Sequence, residues 1–296
     1  MRVVFLALLC VLVMVARAAD QTDGNANALK EKYQALEAEL RDSPFGRPLV
    51  LDSKESSREV MGDAYAVLAH PFAQVGPALA EPASWCDIFM LPFNTKQCHV
   101  ARENGAPVLE VRIGRKNEDS AEQAYPVTFQ YRVTGLSTEL LQVGLRADEG
   151  PLSTRDYRIA LEAIPLPGDR TFLHLSYAYA FGLPGRLAMQ AYLGTVGASK
   201  VGFTVNGKDA EGKPRYVGGM RGVIERNTMR YALAIEAFLG ALNAGARRTD
   251  KAAHDWFAAT ERYPRQLHEM DEAEYLAMKK KEYARQALAA GRAPGT

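Results

Sequence analysis

From Lys96 to Phe181 apolar and polar residues alternate with a period of two. Leu109, Val111 and Ile113 are interleaved with Glu110 and Arg112. Tyr125, Val127, Phe129, Tyr131 and Val133 are interleaved with Thr128, Gln130 and Arg132. The pattern recurs at Leu141 to Ala147, Tyr157 to Ala163 and Leu173 to Phe181. Such alternation gives each strand one buried and one wet face, the antiparallel pattern. The breaks at Gly135-Leu136-Ser137, Asp148-Glu149-Gly150-Pro151 and Pro165 to Gly168 carry loop chemistry, so the strands are expected to meander. From Gly219 to Leu242 the period changes: Ile224, Thr228, Tyr231, Ile235, Phe238 and Leu242 fall three or four apart and line one face of a long helix.

The flanks add shorter elements. Residues from Asn27 to Arg41 read as a helix stopped by Ser43-Pro44-Phe45-Gly46. Leu49 to Leu68 reads as extended, crossing a polar Lys54-Glu55-Ser56-Ser57 patch. His70-Pro71-Phe72 turns into a helix ending at Leu79, and Pro82 opens a second through Phe89. Arg186 to Leu193 reads as a short helix, and Gly202 to Val217 as a hairpin or ordered loop at Asn206-Gly207 and Glu211-Gly212. Asp250 is placed to cap a helix reaching Glu261, and the Lys-rich Asp271 to Leu288 reads as a last helix packed on the outside. The fold class is therefore α+β: a curved antiparallel β-sheet gripping a long C-terminal helix, with extra N- and C-terminal helices. The expected boundaries are a signal peptide at 1–18, a leader and N-terminal helix at 19–45, the sheet-and-helix domain at 46–243 and a helical extension at 244–296.

The N-terminus bears on the compartment. Arg2, the apolar run Val3 to Val15 and the small-x-small Ala16-Arg17-Ala18 have the form of a secretory signal peptide cleaved near Ala18, with a retained membrane anchor as the alternative. A periplasmic or secreted location is expected. The 36 basic and 35 acidic residues nearly cancel, and Arg2 and Arg17 leave with the leader. A near-neutral chain argues against a general nucleic-acid binder, which needs cationic surface to neutralise phosphates. Cys86 and Cys98 survive cleavage, and in an oxidising compartment this close pair is expected to form a disulfide; two separately buried thiols are the alternative. No spacing of paired metal ligands occurs around them, so no metal is expected.

The order of extended strand, two short helices, meandering strands and long amphipathic helix resembles the START-like (SRPBCC) helix-grip superfamily over roughly Leu49 to Leu242. The resemblance places His70-Pro71-Phe72 through Trp85-Cys86 as the helix pair and Val223 to Leu242 as the gripping helix. It implies a cavity between sheet and helix that takes a lipid, sterol, polyketide or other apolar molecule. Some members of that superfamily are enzymes and many are carriers. The chain departs from the family's pattern in the segment Leu183 to Val217 between last strand and helix, in its added terminal helices, and in its expected export. It carries no residue-level family motif, so site residues follow from position in the pattern.

Tyr125, Phe129, Tyr131, Tyr157, Tyr177 and Tyr179 share the inward register, and Tyr231 lies on the helix face toward them. Buried tyrosines must satisfy their hydroxyls, so the cluster reads either as a cavity lining with polar handles or as an ordinary core whose tyrosines reach its edge. Arg226 and Arg230 share a helix face. They read either as a cationic mouth for an acidic group or as part of a salt-bridge cluster with Glu225 and strand carboxylates such as Glu162. His174 falls on the polar register and would act as a base only beside a carboxylate. No Gly-x-Ser-x-Gly, His-Glu-x-x-His, Walker, Gly-x-Gly-x-x-Gly or Cys-x-x-Cys motif occurs, no catalytic residue is assigned, and no cofactor is implied. Three functions remain open. The first is an exported protein that binds a hydrophobic or amphipathic small molecule. The second is an enzyme using Tyr177, Tyr179 or His174 in the same cavity. The third is a cell-envelope interaction protein with an exposed stripe of Tyr275, Leu276 and Tyr283.

Overall fold

The structure, a computed structural model, describes residues 25–114, 121–183, 185, 187 and 200–289. The signal peptide expected at 1–18 and nearly all of the helix expected at Arg186 to Leu193 lie outside the described residues. Helix α1 covers residues 25–41. Strands β1 (Leu49–Glu55) and β2 (Glu59–Leu68) follow, then α2 (Phe72–Leu79) and α3 (Pro82–Phe89). Six strands come next: β3 (Thr95–Glu103), β4 (Ala106–Ile113), β5 (Tyr125–Leu136), β6 (Leu141–Glu149), β7 (Thr154–Leu166) and β8 (Arg170–Phe181). A small hairpin, β9 (Val205–Lys208) and β10 (Pro214–Tyr216), leads to the long helix α4 (Gly219–Ala241). The chain ends in α5 (Arg248–Glu261), α6 (Pro264–Leu267) and α7 (Glu272–Ala289).

The eight long strands form one sheet in the order β1-β2-β8-β7-β6-β5-β4-β3, antiparallel throughout. With α2 and α3 inserted after β2 and α4 laid across the inner face, this is the α+β helix-grip, START-like arrangement. One expectation needs correction. The extended stretch Leu49 to Leu68 is two strands, because the Ser56 hydroxyl accepts the Arg58 and Glu59 amides and folds the polar patch into a hairpin turn. The added β1 becomes the sheet edge. Asp250 also differs from expectation: it lies in the first turn of α5, where a carboxylate favours the helix dipole, and makes no cap hydrogen bond.

Helix α4 comes close to the sheet at Gly62, where a Cβ would lie 2.3 Å from Thr228 Oγ1, so glycine admits the helix at this depth. Ile224, Thr228, Ile235 and Phe238 are buried as the periodicity requires. Met229, Leu233 and Leu239 on the remaining faces are buried too, because α5 covers the back of α4. Trp256 of α5 donates its indole N–H to the Arg230 carbonyl at 3.0 Å, and Arg248 stands 4.5 Å from the Phe238 ring centroid. The outer face of the sheet is not wholly wet. Leu29, Tyr33, Leu36 and Leu40 of α1 pack there against Leu140, Ile164 and Phe172.

Cys86 of α3 and Cys98 of β3 form a disulfide, with Cα atoms 5.2 Å apart. It ties the helix pair to the last strand of the sheet order. Closing a loop of this size contributes about 3 kcal/mol in the chain-entropy model. Reduction, or Cys98→Ser, is expected to lower unfolding stability by about 2–4 kcal/mol. Urea denaturation with and without reductant measures it, and coincident transitions would show that the bond adds nothing.

Candidate functional site

Between the inner face of the sheet and α4 lies a cavity of about 130 Å³. Its floor comes from β7 and β8. Inward positions along a strand recur every two residues, so Tyr177 and Tyr179 stand side by side, with Tyr157 on the paired strand. The Tyr157 and Tyr179 rings stack at 5.3 Å, and Tyr177 meets Tyr231 of α4 edge-on at 5.6 Å. The roof is a stripe of α4: Val223, Asn227, Arg230 and Tyr231 are three and four residues apart. Two loops form the rim, Pro92 and Asn94 before β3, and Pro151 and Leu152 before β7. Leu152 holds φ +58° and is 48 % exposed, a left-handed conformation rare for a branched side chain. Gly150 beside it leaves room for the Tyr157 ring: a Cβ there would lie 2.3 Å from a ring carbon.

The hydroxyls of the four tyrosines are treated differently. Tyr157 shares a 2.6 Å hydrogen bond with Thr154 Oγ1. Those of Tyr177, Tyr179 and Tyr231 make no hydrogen bond among the described residues and are not closed off from the cavity. Burial is the largest influence on all four and pushes each phenol up, Tyr157 to about 12, with neighbouring phenols adding to it. They are therefore neutral donors at physiological pH. Arg230 pairs with Glu269 at 2.7 Å, and Lys200 reaches the other oxygen of the same carboxylate at 3.2 Å.

The other sequence-chosen positions lie elsewhere. Tyr125, first residue of β5, is 38 % exposed at the end of the sheet and is not an inward wall of the cavity. Phe129 is core, its ring between Phe89 at 5.4 Å and Tyr157 at 6.3 Å. Tyr131 turns its hydroxyl to the Ala80 carbonyl at 2.7 Å, between α2 and α3, where Trp85 also donates to Leu79 at 2.9 Å. Its role there is to close the helix pair. Arg226 is buried beside the Val201 carbonyl, 3.2 Å away, and its charge favours the Tyr179 phenolate against burial. The salt-bridge alternative holds for Arg230, but its partner is Glu269 from the C-terminal extension and not Glu162. Asn227 and Val223 escaped the sequence reading, although both lie on the helical stripe of Tyr231.

Glu162 belongs to a separate cluster on the outer face. His174 lies between Asp63, 2.9 Å from Nε2, and Glu162, 3.3 Å from Nδ1, with Tyr65 stacked 4.4 Å from its ring. A histidine that donates from both nitrogens is an imidazolium. Burial works against that charge, but the hydrogen bonds and charges of Asp63 and Glu162 outweigh it and raise the His174 pKa. Burial opposes the Asp63 charge as well and is outweighed by His174, while the His174 hydrogen bond is the leading cause for Glu162; both carboxyls fall below their ordinary values. His174 thus has carboxylates beside it, but on the face opposite the cavity and with both nitrogens engaged, so it is no base for that cavity. The raised histidine contributes stability fully below about pH 6.5 and loses it as pH rises through the folded value; the carboxylates contribute above about pH 4 and lose it in acid. His174→Gln is expected to cost about 1.5–3 kcal/mol near pH 5.5, and less at pH 8 and at pH 3. Denaturation midpoints across pH test this, and a pH-independent difference would show a neutral histidine.

No protein-family profile and no curated protein matches the chain. Solved structures do match, each over about half of the chain. One is a norcoclaurine synthase point mutant from Thalictrum flavum in complex with a transition-state analogue: 14 % identity, 49 % of this chain, 91 % of that one, TM-score 0.34. Another is the Zhui aromatase/cyclase from Streptomyces sp. R1128: 16 % identity, 47 % and 87 % coverage, TM-score 0.34. A third is a START superfamily protein from Mycobacterium smegmatis: 16 % identity, 47 % and 92 % coverage, TM-score 0.32. The helix-grip assignment itself rests on this chain's strand order, the helix pair after β2 and the position of α4.

Proposed function

We propose that the chain is an exported protein that binds a small apolar or amphipathic molecule in the cavity between sheet and α4. The observation that carries this reading is the group of neutral tyrosine hydroxyls at the cavity with no hydrogen-bond partner among the described residues. Hydroxyls that open into an aromatic-walled cavity and are not engaged by the protein are the few placed polar groups that orient a small ligand. The aromatic walls exclude water and the hydroxyls orient the ligand's polar end. The location follows from the signal-like N-terminus and from the Cys86–Cys98 disulfide, which suits an oxidising compartment. Among the described residues no helix is long and apolar enough to cross a membrane.

Binding is favoured over catalysis because the described cavity residues hold no titratable pair within hydrogen-bond reach, and its phenols are held neutral. The interaction reading required an exposed stripe on α7. Tyr275 is instead fully buried, and Leu276 and Tyr283 are partly buried against the core. Native mass spectrometry of the protein purified from its own envelope, followed by denaturing extraction, tests the proposal. A stoichiometric small molecule is the expected result. A bare polypeptide mass that no added small molecule shifts would remove it.

A further inference from the structure

The size of the cavity narrows its ligand. A volume of about 130 Å³ is below the ~300 Å³ at which pockets for drug-sized molecules begin. It is close to that of an engineered apolar cavity of ~150 Å³ that takes up one benzene. A single ring fits, and an acyl chain of lipid length does not. This departs from the lipids and sterols that the helix-grip resemblance implies. The walls suit a ring, since Tyr157, Tyr177, Tyr179 and Tyr231 offer flat faces and edges within 5.3–6.2 Å of one another.

The polar groups decide the rest. Tyrosines face the space from two sides, Tyr177 and Tyr179 from β8 and Tyr231 from α4. None of their three hydroxyls is taken up by a described residue, and none is closed off from the cavity. Burial raises each phenol above its ordinary pKa, so each keeps a proton to donate. A ligand with an acceptor atom answers them. An ion is a poorer match. The described lining residues include no Asp, Glu, Lys or His, and the Arg230 guanidinium is already ion-paired with Glu269 at 2.7 Å. A bound ion would surrender its water without a counter-charge of its own. Taking the proposed small-molecule binding as its basis, we infer that the ligand is an uncharged molecule of one ring, held among the four tyrosines, with an acceptor atom that receives the hydroxyls of Tyr177, Tyr179 and Tyr231.

The test is isothermal titration calorimetry of the dialysed protein with acetophenone, ethylbenzene, benzoate and hexadecanoate. Acetophenone is expected to bind one to one, at least ~10-fold more tightly than benzoate, whose charge finds no counter-ion. Ethylbenzene has the same shape as acetophenone but no acceptor. Tyr177→Phe/Tyr179→Phe/Tyr231→Phe keeps the rings and removes the donors, and is expected to weaken acetophenone about 10-fold while ethylbenzene binds no more weakly. Tyr231→Phe alone is expected to show the same selective loss at a few-fold, and it carries the test should the triple variant fail to fold. Benzoate bound as tightly as acetophenone would overturn the uncharged ligand. Acetophenone and ethylbenzene weakened equally by the variants, or neither weakened, would overturn the role of the hydroxyls. Binding of hexadecanoate, or release of a larger molecule from the native protein, without binding of acetophenone would overturn the ring-sized ligand and leave the general binding reading intact. Binding of none of the four, with no molecule released from the native protein, would defeat that general reading as well.

Discussion

Glu282→Gln is expected to lower unfolding stability by about 3–5 kcal/mol, the cost of removing one partner from a buried ion cluster. Glu282 of α7 is 1 % exposed and lies between two lysines as deeply buried as itself. Its Oε1 accepts Lys96 Nζ of β3 at 3.0 Å, and its Oε2 accepts Lys279 Nζ at 2.8 Å. Lys279 donates further to the carbonyls of Pro92 at 2.7 Å and Thr95 at 3.1 Å, and Lys96 to that of Phe93 at 3.3 Å. Loss of this carboxylate leaves the Lys279 ammonium in the interior with only backbone carbonyls to accept from it. Burial already holds the Lys279 ammonium below its ordinary pKa of 10.5, with the Glu282 charge opposing that shift. Without Glu282 the shift deepens. The deficit of the variant is therefore expected to shrink as pH rises through about 8, where the folded wild type loses the Lys279 ammonium as well. Lys96→Met/Lys279→Met/Glu282→Leu is expected to recover only part of the loss, because the three carbonyls lose their donors. Guanidinium denaturation from pH 6 to 10 checks both statements. A variant within 1 kcal/mol of wild type would mean that water already solvates these lysines. The consequence reaches the cavity, because Pro92 and Asn94 are rim residues and Tyr275 of the same helix holds the Leu91 carbonyl at 2.9 Å.

This cluster marks where the sequence stops being informative. Lys279 begins a run of three lysines, and Glu282 three residues on looks like its solvated helical partner. Nothing local distinguishes such a run from one folded under a loop, so α7 is expected outside and is found with Tyr275 and Lys279 in the interior. The strands are another matter. Alternation states which side of each strand is inside whatever covers it, so Tyr157, Tyr177 and Tyr179 are placed correctly on the inner face from the pattern alone. What alternation does not state is where an inner face runs out. Tyr125 shares the register of Val127 and Phe129 but lies at the end of the sheet, and Tyr131 spends its hydroxyl on α2 and α3. On α4 the predicted stripe holds, with Ile224, Thr228 and Ile235 buried and Tyr231 at the cavity, but Val223 and Asn227, one residue to the side of Ile224 and Thr228, line the cavity as well. The rim at Pro151 and Leu152 comes from loop backbone with no periodicity to read, and the Arg230–Glu269 pair joins residues that only the tertiary fold brings together.

Glu225→Ala is expected to cost a similar amount, about 3–5 kcal/mol, for a related reason. Glu225 is 0 % exposed. Its Oε1 accepts the hydroxyls of Ser53 at 2.5 Å and Thr204 at 2.7 Å, and its Oε2 the amides of Phe203 at 2.6 Å and Thr204 at 2.9 Å. One carboxylate thus fastens the edge strand β1 and the segment before β9 to the first turns of α4. Gly202 is part of the same fit, since a Cβ there would lie 2.5 Å from Oε2. Glutamine keeps the size but turns an N–H₂ toward donors, so Glu225→Gln is expected to fall between the alanine variant and Ser53→Ala, which removes one donor and costs about 1–3 kcal/mol. Urea midpoints give the order, and hydrogen exchange at the Phe203 and Thr204 amides locates it. If those amides exchange no faster in Glu225→Ala, the carboxylate does not hold the segment. If they do, the loss extends to the candidate site, because the segment carries the Val201 carbonyl that receives Arg226 and the Lys200 ammonium that shares Glu269 with Arg230.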